Sequence, residues 1–171
     1  MADANNLLKP NGQIPHQDTE ENQDPQFAIQ RIYAKDLSFE TPHSPAIFQE
    51  EWKPNVDVQL NASTQKLSVH VYEVKLSITV TTKVHDKTAF LVEAHTAGIF
   101  TIAHFAELQL NHMLGSYCPS ILFPYARELI SDLVSRGGFP PFYLAPINFE
   151  ALYEQHLAQQ NQPPVNKDML N

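Results

Sequence analysis

From residue 27 onward the chain alternates apolar and polar positions in blocks, and past residue 102 the period changes. Phe27, Ile29, Tyr33, Leu37 and Phe39 share one parity, which predicts a long strand whose face is interrupted by Arg31 and Lys35. Glu40–Pro54 holds three prolines among Phe48 and Trp52 and reads as a crossover loop. Val56, Val58 and Leu60 alternate with Asp57, Gln59 and Asn61, the pattern of a half-buried strand. The cleanest alternation sets Tyr72, Val74, Leu76, Ile78 and Val80 against Glu73, Lys75, Ser77, Thr79 and Thr81. Val84-His85-Asp86-Lys87 then turns the chain into Thr88–Thr96, an expected edge strand that is apolar on both sides. Helical spacing over Ile102–Leu114 predicts a helix with Phe105, Ala106 and Leu108 facing inward. Pro119 can open a second helix, where its missing N–H costs nothing, and Gly137-Gly138 stops it. Asn148 is a plausible N-cap for a last helix over Phe149–Gln160. Strands first and helices second, without a repeat, argue an α+β architecture: a four-stranded antiparallel sheet with helices packed on one face.

The two ends differ from this middle. Met1–Gln26 and Asn161–Asn171 are polar with few large apolar residues and read as disordered arms around a domain at 27–160. The first 26 residues lack the charged-then-apolar order of a signal, and no run reaches the ~18 apolar residues of a membrane helix. A cytoplasmic protein with no direct membrane insertion is expected. The single cysteine, Cys118, excludes an internal disulfide and fits a reducing compartment. A formal charge of −8 argues against nucleic acid, since no basic face is available to displace counterions, and favours cationic partners.

Eight histidines show no metal-ligand spacing: His104 and His112 lie two turns apart, and no Cys-x-x-Cys or His-Glu-x-x-His occurs. No metal and no cofactor are expected, and no phosphate-cradling Gly-rich loop ending in Lys is present. Cys118 near a helix start could be a nucleophile only with a histidine delivered to it, so a buried structural thiol is the simpler account. The aromatic set is more telling. Phe39, Phe48 and Trp52 flank the proline-punctuated loop, Tyr125 lies on a helix, Phe139, Phe142 and Leu144 line a second loop, and Tyr153 sits on the last helix. Rings on loops without regular period suit a surface that repacks around varied apolar segments, gaining ~25 cal/mol per Å² buried. Asp36 and Glu40 share a strand face, and with Glu93 and Leu91 they would form an acidic patch around an apolar centre if the two strands lie side by side. The second helix is apolar on more than one side, through Ile121, Leu122, Phe123, Leu129, Ile130, Leu133 and Val134, so association with further copies of the chain is expected. Val92 and Ala94, alternating with Leu91 and Glu93, are the expected subunit contacts.

Several runs occur in a familiar order: Ile29-Gln30-Arg31-Ile32-Tyr33, Lys35-Asp36-Leu37-Ser38-Phe39-Glu40, Val71-Tyr72-Glu73-Val74, Gly115–Glu128 and Leu144-Ala145-Pro146. Over roughly Phe27 to Gln160 the chain resembles the SecB family of bacterial protein-export chaperones. The resemblance implies a homo-tetramer built as a dimer of dimers. It further implies an ATP-independent, non-enzymatic chaperone that holds unfolded precursor proteins and passes them to the SecA ATPase. It also implies that Asp36, Glu40, Leu91 and Glu93 are the SecA-docking positions, and the aromatic set the client groove. A chaperone of the same fold dedicated to one client, such as a toxin or antitoxin, and a hydrolase using Cys118 are the alternatives.

Overall fold

Residues 24–160 are described by the computed structural model. The expected disordered arms therefore lie almost wholly outside the described residues. The alternating blocks become four strands: β1 (Gln26–Glu40), β2 (Pro54–Ser68), β3 (Val71–Val84) and β4 (Lys87–Ala103). They form one antiparallel sheet in the order β1-β4-β3-β2. Period-two alternation puts Val74, Leu76, Ile78 and Val80 of β3 on one face beside Phe90, Val92, Ala94 and Phe100 of β4. Helix α2 (Cys118–Arg136) lays Leu122, Ala126, Ile130 and Val134 onto that face, and all of these residues are buried. Among the described residues, no helix lies on the opposite face of the sheet.

The strand expected at an edge is central instead, because β4 pairs with β1 on one side and β3 on the other. Val92 and Ala94 are consequently fully buried under α2 within a single chain, and neither has surface left for a subunit contact. β4 also runs on to Ala103: Ile102 keeps the parity of Phe100, so its apolarity belongs to the strand and not to a helix. The helix begins later, as α1 (Glu107–His112), and Leu108, expected inside, is 83% exposed. Pro119 does not open a helix. α1, a π-helical segment at Met113–Tyr117 and α2 follow one another without a break. Proline cannot donate to the carbonyl four residues back, and a widened turn just before Pro119 relieves that loss.

The helix stop at Gly137-Gly138 is as expected: Gly138 takes a left-handed φ of 82° and the Gly137 amide reaches the Leu133 carbonyl at 2.9 Å. The last helix, α3 (Phe149–Gln160), is capped by Asn148, whose Oδ1 accepts from the Ala151 amide at 3.1 Å. The strand expected at Val56–Asn61 extends over Pro54–Ser68 as the outer strand β2, most of it exposed because the helices cover β3 and β4.

β1 departs most from simple alternation. Gln30 and Lys35 have no partner in the β4 ladder, so two β-bulges interrupt the strand. The first sends Tyr33 to the face opposite Phe27, and the second returns Leu37 and Phe39 to the helix side. Arg31 and Lys35 therefore do not interrupt one apolar face; the bulges carry them off it.

Candidate functional site

On the helix side, the crossover after β1 and the loop after α2 meet over the start of β4. Phe139, brought down by the helix stop, is buried and is met by Phe90 at a ring-centroid distance of 5.0 Å, Phe48 at 5.1 Å, Trp52 at 5.6 Å and Phe39 at 6.4 Å. Phe142 lies 6.4 Å from Phe90. Phe48 and Trp52 stay 46% and 37% exposed, forming an accessible rim above a buried aromatic floor. A single 3-10 turn at Ala46–Gln49 makes this possible by burying Ile47 and leaving Phe48 outside.

Polar ties hold both loops. Lys87 Nζ donates to Glu50 at 2.7 Å, the His43 ring lies 2.9 Å from the Thr88 carbonyl, and Ser131 Oγ donates to the Phe142 carbonyl at 2.7 Å. The Lys87 ammonium holds the Glu50 carboxyl below the usual carboxylate range. Five of the eight predicted groove residues thus converge: Phe39, Phe48, Trp52, Phe139 and Phe142. Leu144 is buried in the core and offers little surface. Tyr125 is 51% exposed on α2 and makes none of these ring contacts.

Tyr153 belongs to a separate cleft of about 320 Å³ between α3 and β2, lined with Leu60, Ala62, Gly115, Phe149 and Leu152. α3 is seated there by Glu150. Both of its carboxylate oxygens lie 2.6–2.7 Å from His112 Nε2, and Ser116 Oγ donates to it at 2.9 Å. The Ser116 hydrogen bond first, and His112 second, hold the Glu150 carboxyl below its ordinary value. A Cβ at Gly115 would meet the Tyr153 ring at 2.4 Å, so the glycine lets α3 approach.

The acidic residues gather on the other face of the sheet. β1 and β4 are direct neighbours, with Glu40 opposite Leu91, Ser38 opposite Glu93 and Asp36 opposite His95. Asp36, Glu40, Leu91 and Glu93 therefore form one contiguous patch, with Asp36 and Glu40 exposed. Thr79 Oγ1 lies 3.2 Å from Glu93 and donates to it, steadying that carboxylate. Cys118 is fully buried, and burial pushes its thiol up to about 12, which keeps it protonated at neutral pH and away from any substrate.

Comparison with known proteins agrees with this architecture. The model of the family described as "SecB: Preprotein translocase subunit SecB" matches residues 20–160. The chain belongs to the SecB family. Protein-export protein SecB of Methylococcus capsulatus is 57% identical over 151 residues, covering 86% of this chain and 97% of that protein. Its counterpart from Nitrosococcus oceani is 57% identical over 146 residues, covering 84% and 89%. Among solved structures, the Mycobacterium tuberculosis Rv1957 SecB-like chaperone, in complex with a ChAD peptide from the Rv1956 HigA1 antitoxin, shares the fold with a TM-score of 0.58 at 18% identity. It covers 71% of this chain and 90% of that one. The SecB family is a chaperone family and not an enzyme family.

Three features of this SecB-family site escape a reading of the sequence. The His112–Glu150–Ser116 cluster joins residues 34 to 38 apart in sequence. The Ser131 tie to the second loop and the paired bulges of β1 are equally silent, because none changes composition or period over a readable window. No helix among the described residues is long and apolar enough to cross a membrane.

Proposed function

We propose that this protein-export chaperone holds unfolded precursor chains by burying their apolar stretches against the Phe48–Trp52–Phe139 cluster, and hands them to the SecA ATPase through the acidic patch. The observation that carries the reading is the exposed aromatic rim over a buried aromatic floor. Rings at the surface lose nothing when a client covers them, and ~25 cal/mol per Å² is gained without demanding a particular sequence. The α3–β2 cleft around Tyr153 extends the apolar surface along the outer strand. The patch of Asp36, Glu40 and Glu93 around Leu91 suits a basic segment of SecA: charge speeds and orients the encounter, and Leu91 supplies burial. The working assembly is a homo-tetramer in the cytoplasm, and no nucleotide is hydrolysed by the chain itself.

The deciding measurement is suppression of aggregation of several unrelated unfolded proteins without ATP. Trp52→Ala should weaken holding severalfold while leaving the melting temperature within a few degrees. Capture of one client only, or loss of the fold in Trp52→Ala, would count against a general groove at this cluster. Glu93→Lys should weaken SecA binding strongly at low salt and leave client holding intact, since reversal adds repulsion to a lost contact. Unchanged SecA affinity would place docking elsewhere.

A further inference from the structure

The C-terminal half of β1 serves two faces at once. Leu37 and Phe39 pair with Ala94 and Val92 on the helix side, while Asp36, Ser38 and Glu40 pair with His95, Glu93 and Leu91 on the open side. That division depends on parity, and β1 has already changed parity once, at the unpaired Gln30. Were pairing to continue undisturbed beyond Ala34, Asp36 would face Ala94 and turn toward the core, and Leu37 would face Glu93 on the open side. The unpaired Lys35 cancels the first shift and restores the arrangement.

Glu73 holds Lys35 in that position. Lys35 Nζ lies 2.8 and 2.7 Å from the two carboxylate oxygens of Glu73, and the Tyr33 hydroxyl donates to the same carboxylate. Glu73 stands on β3, two strands away from β1, and is only 8% exposed although no helix among the described residues covers its face. Ala97 of β4, opposite both Tyr33 and Lys75, is fully buried and small enough to let the side chains of β1 reach across. A carboxylate so covered is costly without its partners. A one-residue slip of β1 would carry Tyr33 and Lys35 away from it, besides turning Asp36 toward the core.

We propose that Glu73, acting through Lys35 and Tyr33, is the positioning residue that fixes the register of β1 and thereby presents Asp36 and Glu40 to the basic docking segment of SecA. The proposal rests on the docking reading above. Lys35→Met separates positioning from charge. Removing a cation beside an acidic patch should by Coulomb attraction alone favour a basic partner, so weakened docking in this variant reports lost register.

The test measures SecA affinity by titration calorimetry, together with amide hydrogen exchange over residues 36–40, in Glu73→Met, Lys35→Met and Lys35→Arg. The two methionine variants should lose affinity on the order of tenfold and exchange faster over 36–40, while Lys35→Arg stays within about twofold. If Glu73→Met does not fold, Lys35→Met, altered at a side chain 43% exposed where that of Glu73 is 10%, carries the same test. Unchanged affinity and exchange in Lys35→Met, or tighter SecA binding, would overturn the proposal. Glu93→Lys run alongside separates the two ideas: if it leaves SecA affinity unchanged, the docking reading falls, and faster exchange in Lys35→Met still supports the register role while unchanged exchange ends it.

Discussion

A Cβ placed on Gly137 would lie 2.3 Å from Cζ and 2.5 Å from Cε1 of Phe39, closer than side-chain carbons approach one another. Gly137 itself has an ordinary helical φ of −70°, so its lack of a side chain answers to Phe39 and not to the backbone. Gly138 is the reverse case: a Cβ there would only touch the Phe48 ring at an ordinary 3.8 Å, but its φ of 82° is left-handed. Alanine should therefore act differently at the two positions. Gly137→Ala pushes the Phe39 ring away from Phe139, an overpacking change of about 1–3 kcal/mol, and should weaken client holding severalfold with a shift in Trp52 fluorescence. Gly138→Ala should lower the melting temperature through backbone strain of about 1–2 kcal/mol while client affinity is largely kept. Equal losses of holding in both would mean that the Phe39 contact plays no part in the groove. At this scale the identities of the rings were readable in the sequence, but their distances were not. Phe139 became the floor and Phe48 the rim because a 3-10 turn and a double glycine place them there, and Leu144 turned inward to join the core.

Among the elements, α3 is anchored through its first turn. Phe149 packs edge-on against Phe123 at 5.7 Å, Asn148 caps the first turn, and Glu150 bridges to His112 and Ser116. Asn148→Ala should cost about 1 kcal/mol, the usual value of an N-cap, and raise hydrogen exchange across Phe149–Gln160. The pH dependence follows from the lowered pKa of Glu150. Its contribution is fully present above the ordinary carboxylate range near 4.5 and is lost as pH falls through the lowered folded value. Exchange within α3 should therefore rise selectively below pH 4.5, and Glu150→Gln should remove that rise; a pH response that persists in Glu150→Gln would assign it to another group. The strands and the cap of this helix were legible because each leaves a local mark, such as alternation or an Asn three residues before the amide it accepts from. The joining of α1 to α2 was hidden by Pro119, which reads as a helix start and is tolerated inside one by the π-helical segment. The place of β4 in the middle of the sheet was hidden for another reason: pairing order is set by long-range contacts that no window of sequence contains.

For the whole molecule, Val92 and Ala94 are buried within one chain, and we propose that copies of the chain meet through the exposed side of the helices instead. Tyr117, Ile121 and Tyr125 follow one another at i, i+4 and i+8 and so form a stripe on one side of the helix, beside the buried row of Cys118, Leu122, Ala126 and Ile130. Tyr117 and Tyr125 are about half exposed, and further along the same helical run Leu108 stands almost free. An apolar stripe of this kind, on a helix already packed through its other side, gains ~25 cal/mol per Å² when a second copy covers it. The acidic patch lies on the opposite face of the sheet, so association through the helices leaves docking open. Light scattering at micromolar concentration should give a tetramer for the unaltered protein. Tyr125→Asp, which sets a charge in the stripe without touching the core, should lower the mass toward that of a dimer and leave the melting profile of the β-sheet signal largely intact. SecA binding per chain at low salt should survive that substitution, because Asp36, Glu40, Leu91 and Glu93 come from one chain alone. A tetramer unchanged by Tyr125→Asp would take the interface away from this stripe, and a monomer in the unaltered protein would end the tetramer itself.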